Sequence, residues 1–549
     1  MRVALSSALA LGILAGCGAP PAPALESEVR AERSYEATGW IAQTLPDIAA
    51  ALDAGEITSV ELTQAYLDRI TVLDRQGPHL QAVIATNAHA LTDAAASDAR
   101  RADGKALGPL DGVPILLKDN IESLDPMPTT AGSLALKDNV AGRDSPLVAG
   151  LRAQGAIILG KTNLSQWANF RSNLSMSGWS SVGGQTRNPH MLDRNPCGSS
   201  SGSGVAVAAS LAAGAVGTET NGSIICPSNV NGIVGFKPTV GLVSQEGIIP
   251  ISPTQDTAGP MTKSVRGAAM MLSAMDPGGT DYAAGLSPDA LKGVRVGVLR
   301  FSEGSNPAVK ERFDAALAVM QAQGAVLVDI TEFEPAIPGF RDDETTLLEY
   351  EFKDSLNAYL ATTPPAVTVR TLSDLIAFNS SNAGAEMPLF GQDIFESSNA
   401  RGPLSDQAYL DARAAVLFTT RDQGIDRLLS AHQVDVLVSP SGPVAPRIDP
   451  INGDVWPDWA GAGSFAAMAG YPHITVPMGE VHGIPVGVSF IGTAGQDASI
   501  LSYGYAYEQA SQMRVDPLYL QMAEERPEIA AAIVRSDREF PADSVNREQ

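Results

Sequence analysis

Lys118 ends the apolar stretch of "GPLDGVPILLKDN", Ser199 lies inside the run "NPCGSSSGSG" at 195–204, and Ser223 follows a glycine in "GTETNGSIICP". A lysine at the end of an apolar strand either reaches water with its head or is buried, where its charge is disfavoured. In the second case it loses its proton near neutral pH and becomes a base. A glycine-serine run is ordinarily a flexible connector. Within it "GSSSG" at 198–202 matches the nucleophile-elbow pattern G-x-S-x-G, which nominates Ser200. That pattern needs a strand immediately before it, and "TRNPHMLDRNPC" has no strand character. A phosphate-cradling loop fares no better, because no G-K-[ST] follows. The step Gly222-Ser223 reads either as a tight turn entering a buried strand or as a place where backbone N–H groups converge on one point, the requirement of an oxyanion hole.

The elements that must hold these residues are those of an α/β protein. The runs 113–117 and 156–159 are short and apolar enough for buried strands. In "TSVELTQAYLDRITVLD", Thr58 and Glu61 have capping-box spacing, and Leu62, Tyr66, Leu67, Ile70 and Leu73 fall on one helical face. "VRVGVL" at 294–299, the helix start Asn306-Pro307, the stop at Gly324 and "AVLVDI" make a strand, helix, strand unit, which calls for partly parallel strands. The run "GVAVAASLAAGAV" at 204–216 is a small-residue helix or a strand-like segment. The stretch 516–549 is charged and proline-punctuated and reads as a peripheral extension, with 529–534 able to form a docking helix.

The chain carries 37 basic and 61 acidic residues, a formal charge of -24, with no Lys/Arg cluster, which argues against a nucleic-acid partner. Its start, "MRVALSSALALGILAGC", has one positive residue and an apolar run too short to span a bilayer, the build of an export signal. The tetrapeptide ending at Cys17 resembles the bacterial lipobox. On that reading residues 1–16 are removed, Cys17 carries a lipid, 17–36 is an Ala/Pro tether, and the protein faces the periplasm from the cell envelope, touching membrane only through that lipid. Cys197 and Cys226 then remain, too few for a disulfide framework. Free buried thiols are expected ahead of a single bridge between two loops. The six histidines have no metal-ligand spacing, so neither a metal nor another cofactor is expected.

Taken together, Lys118, Ser199 and Ser223 resemble the Ser-cisSer-Lys triad of the amidase signature family. The likeness runs through "GPLDGVPILLKDN", "TTAGSLAL" at 129–136, "GKTNLSQWA" at 160–168, the long block 197–244, "DVLVSPSGP" at 435–443 and "AGYPHITVPMGEVHGIPVGVSFIG" at 469–492. "WANFRSN", "GGQTRNP", "LLEYEFK" and "TLSDLIAFN" further resemble the bacterial peptide amidase branch. The resemblance implies one large catalytic domain over 37–515, with a central mixed β-sheet flanked by helices. It implies a serine amidohydrolase in which Ser223 is the nucleophile, Ser199 the relay behind a cis peptide bond and Lys118 the base. Backbone N–H groups of Thr220, Asn221, Gly222 and Ser223 would be the oxyanion donors, Ser200 and Ser201 structural, and 204–216 a closely packed helix. The substrate implied is a small-molecule or peptide amide, a peptide C-terminal amide first. Anilides, fatty amides, esters and carbamates are alternatives, and a solute-binding lipoprotein is the non-enzymatic one. The region 331–430, with Tyr350, Phe352, Phe378 and Phe390, would shape the acyl pocket. Cys197, Ser201 and Asn221 depart from the family pattern, and Asn221 stands beside the oxyanion site. Oligomeric state is not readable from the sequence.

Overall fold

Apolar runs with no polar alternation become strands covered on both faces, and the strand that ends in Lys118 is one of them. The structure, a computed structural model, describes residues 35–533. The leader 1–16, Cys17, nearly all of the tether 17–36, and 534–549 lie outside the described residues. In chain order the strands are β1 (Val83–Thr86), β2 (Pro114–Lys118), β3 (Ile157–Thr162), β4 (Trp179–Ser180), β5 (Gly184–Gln185), β6 (Gly214–Glu219) and β7 (Val234–Lys237). β8 (Thr257–Thr262), β9 (Arg295–Leu299), β10 (Val326–Ile330), β11 (Val436–Pro440), β12 (His473–Val481) and β13 (Ile484–Ile491) follow. β4 and β5 pair only with each other. The other 11 strands make one sheet in the order β1-β3-β2-β6-β8-β7-β12-β13-β11-β9-β10.

The sheet is mixed, as expected: β2 runs parallel to β3 and β6, and β9 parallel to β10 and β11, while the centre from β6 through β13 to β11 is antiparallel. Each parallel pair needs a crossover, and helices supply them. Pro146–Ala153 links β2 to β3, and Pro307–Ala322 links β9 to β10. The second starts where the sequence marks it, with Asn306 accepting from Ala308 N at 2.9 Å and Pro307 in the first turn. The helix Ser59–Arg69 carries the expected capping box, and its continuation buries Ile70 and Leu73; Leu67 is only half-buried.

Two expectations need correction. The run 204–216 is not one helix: Ser201–Ala208 is helical and wholly buried, the chain turns through Ser210 at φ +59°, and 214–216 opens β6. The break comes where Ala213 N begins pairing to Pro114 O, so the end of the run joins the sheet beside β2. The segment after Ser223 enters a helix, Ile225–Val230, rather than a strand. At the chain's end, Leu192 N donates to Leu520 O and Tyr519 N to Pro189 O, which anchors the start of the extension. The final helix Pro527–Ile533 buries no residue.

Candidate active site

Lys118 ends β2 with its side chain fully buried, between β3 and β6. Its Nζ has three polar neighbours: Ser199 Oγ at 2.8 Å, Thr218 Oγ1 at 2.8 Å and Thr218 O at 3.0 Å. An ammonium donates to all three. A neutral amine has two N–H bonds, which suit the two Thr218 oxygens, and a lone pair left to accept from the Ser199 hydroxyl. Burial draws the Lys118 pKa down to about 7, against the opposing pull of the Asp256 and Glu219 carboxylates. Thr218 Oγ1 also accepts from Asn120 Nδ2 at 2.9 Å, which fixes that hydroxyl from the opposite side.

Ser199 is fully buried and follows a cis peptide bond from Gly198. A methyl at Gly198 would overlap Ser165 Oγ and stand 2.9 Å from Asn169 Oδ1, so only glycine lets the loop approach this closely. The neighbouring serines do structural work. Ser200 Oγ donates to Thr218 O at 3.0 Å and accepts from Thr218 N at 3.2 Å, clamping the loop to the end of β6, and Ser201 Oγ donates to Cys197 O. The elbow reading of Ser200 is therefore wrong: its hydroxyl is committed to the β6 backbone and fully buried.

Ser223 is on the loop between β6 and the helix Ile225–Val230 and is 8% exposed, the most open of the three. Its carbonyl accepts from Ser200 N at 3.2 Å, which brings the two serine loops together. No hydrogen bond joins Ser223 Oγ to Ser199 Oγ among the described residues, so the bonded chain runs from Lys118 to Ser199 and stops there. Glu219 holds the end of this loop: its Oε2 accepts from Ile224 N at 2.7 Å and Ile225 N at 3.0 Å. Thr220 Oγ1 donates to Asp256 Oδ1 at 2.5 Å, and Asn221 Nδ2 to Glu344 Oε1 at 2.7 Å. Among the described residues the N–H groups of Thr220, Asn221, Gly222 and Ser223 donate to no protein acceptor. Gly222, at φ +83° with open space where a Cβ would stand, lets the loop present them.

Two cavities flank this centre. One of about 360 Å³ is lined by Asn120, Thr218, Thr220, Asp256, Ile249 and Ile251 among others. The second, about 200 Å³, is walled by Gly198, Asn221, Gly222, the two cysteines and His473. His473 is held neutral, its pKa depressed to about 3 by burial and by Lys237. The helix Phe340–Ala361 does reach the larger cavity, but through Asp354, Ser355 and Ala358. Of the aromatics expected there, Phe352 stacks on Phe395 and also lines a small void with Asn120, Ile249 and Ile251 beside the larger cavity, while the others pack: Tyr350 lies against Tyr409, Phe390 meets Trp179 edge-on and Phe378 packs on the same core as Phe352. The residues missed from sequence are Thr218, Asn120, Glu219, Asp256, Glu344 and His473. Their neighbours in the chain carry no pattern that singles them out. The cysteine expectation is also corrected: Cys197 and Cys226 are bonded, Cα to Cα 5.9 Å, because the two serine loops bring them face to face.

Known proteins resemble this chain along most of its length. The model of the Amidase family matches residues 61–501. An Arabidopsis thaliana protein named a probable amidase is 36% identical over 501 residues, 87% of this chain and 91% of its own. The crystal structure of a peptide amidase in complex with the competitive inhibitor chymostatin is 48% identical, with a TM-score of 0.82, covering 86% of this chain and 99% of the other. That of native peptide amidase from Stenotrophomonas maltophilia is 46% identical at a TM-score of 0.81, over 87% and 98%. With the family model spanning both serine loops and the lysine strand, the chain belongs to the amidase signature family and is an amidase, a hydrolase of linear amide C–N bonds.

Proposed function

We propose that the protein hydrolyses the C-terminal carboxamide of peptides or a closely related amide, through an acyl-enzyme on Ser223. The observation that carries this is the buried Lys118 amine, lowered to about 7 and bonded to Ser199 beside the loop that bears Ser223. Neutral Lys118 takes the Ser199 proton while Ser199 takes that of Ser223, whose oxygen attacks the amide carbon. Rotation of the Ser223 hydroxyl toward Ser199 completes the relay. The carbonyl oxygen gains charge and is met by the free N–H groups of Asn221, Gly222 and Ser223, with Thr220 at the loop's entry. The proton returned through the same chain leaves with the amine, and water then releases the acid. The likeness to peptide amidases supports the substrate class. The lipobox-like leader supports attachment at the cell envelope through Cys17, which loss of lipid labelling in a Cys17→Ala variant would test.

A fluorophosphonate should label Ser223, and Ser223→Ala should abolish turnover; an active alanine variant overturns the assignment. Because the base works unprotonated, kcat/KM rises as pH climbs through about 7 and levels on the alkaline side. A peptide C-terminal amide should be turned over faster than an anilide or a long-chain amide bearing a comparable acyl group. The reverse order rejects the substrate class.

A further inference from the structure

We propose that the Cys197–Cys226 disulfide is a positioning element of the reaction: it sets the relay loop against the nucleophile loop, so that Ser199 stands between Lys118 and Ser223. The inference rests on the roles given above to the two serines. Cys197 lies two residues before Ser199, and Cys226 three residues after Ser223. The bridge closes 29 residues of sequence, and that interval contains both hydroxyls together with β6.

The other ties between the two loops are noncovalent. Ser200 N donates to Ser223 O at 3.2 Å, Ser200 Oγ donates to Thr218 O at 3.0 Å and accepts from Thr218 N at 3.2 Å, and Asn231 Nδ2 donates to Pro196 O at 3.0 Å. None of them resists a shift of a few tenths of an ångström in the way a covalent link does. Proton transfer along a relay of hydroxyls requires donor–acceptor distances within hydrogen-bond reach, so a small slippage costs rate before it costs folding. The sulfurs are themselves held, packed with Met191, Val230, Ala445 and Ile484. Cys197 and Cys226 are the chain's only cysteines after Cys17. Both also wall the 200 Å³ cavity beside Gly222, which gives a small reductant a route to them.

Two routes break the bridge: dithiothreitol on the folded enzyme, and the double variant Cys197→Ala/Cys226→Ala. In the first, the reagent gives up two electrons and two protons, leaving two protein thiols and its own cyclic disulfide. The measurements are kcat, KM, the rate of fluorophosphonate labelling at Ser223, and Tm, with free thiols counted. By either route we expect kcat and the labelling rate to fall together by at least fivefold, with KM within twofold, well below Tm, and after dithiothreitol we expect the loss to reverse on reoxidation. Unchanged kcat and labelling once two thiols are counted overturn the proposal, as does a fall in Tm alone or a rise in KM alone. An active, labelled Ser223→Ala variant would instead overturn the assignment of the nucleophile, so the two failures are distinguishable.

Discussion

The relay loop and the nucleophile loop carry one serine each, and they are built in opposite ways. Around Ser199 there is no slack: Gly198 touches Ser165, Ser200 is clamped to Thr218, Ser201 to Cys197 O, and the hydroxyl is fully buried. Around Ser223 the backbone just after the serine is held by Glu219, while there is empty space beside Gly222 and a cavity that both Glu219 and Gly222 line. A group that only passes a proton must stay still. One that becomes bonded to substrate needs room for a carbonyl to arrive.

Variants can break or sharpen this contrast. The largest effect is expected at Lys118→Met, which keeps much of the buried stem and removes the base both loops depend on. It should lower kcat by about 10³-fold, within the range of general base catalysis, and abolish the rise with pH. Gly198→Ala comes next, overpacking the closed loop at a cost of about 1–3 kcal/mol in stability, with kcat down about a hundredfold. Gly222→Ala has free space for its methyl and only the left-handed backbone to oppose it, about 1 kcal/mol. Its kcat should fall about tenfold through misdirected N–H groups, with Tm nearly unchanged. Equal losses of Tm at the two glycines, read by thermal melts, would erase the contrast. Smallest is Thr218→Val, which removes one acceptor from the Lys118 ammonium. The charged form is then held less well, so the alkaline rise should begin at lower pH, with kcat down only a few-fold.

The sequence was legible wherever chemistry and periodicity coincide in one short segment. Lys118 ends an apolar run, Ser199 and Ser223 sit in glycine-rich loops, and the strand, helix, strand unit from β9 to β10 announces itself by Asn306, Pro307 and Gly324. It was opaque where function depends on what a distant residue happens to face. Thr218 matters because its two oxygens meet a lysine 100 positions earlier, and nothing in "GTETNG" advertises that. Tyr350 and Phe390 look suited to an acyl pocket by type, yet they pack against Tyr409 and Trp179, and the helix Phe340–Ala361 turns Asp354 and Ala358 to the larger cavity. Two cysteines 29 residues apart say little about pairing until the loops between them are known to fold back on each other.

Glu219 has a consequence for what the enzyme ignores. A helix start with several bare amides attracts phosphate, sulfate and carboxylate indiscriminately. By seating a side-chain oxygen of Glu219 on the N–H groups of Ile224 and Ile225, the chain occupies those two donors from within. What is left over suits an oxygen that turns negative only for the lifetime of a bond being made.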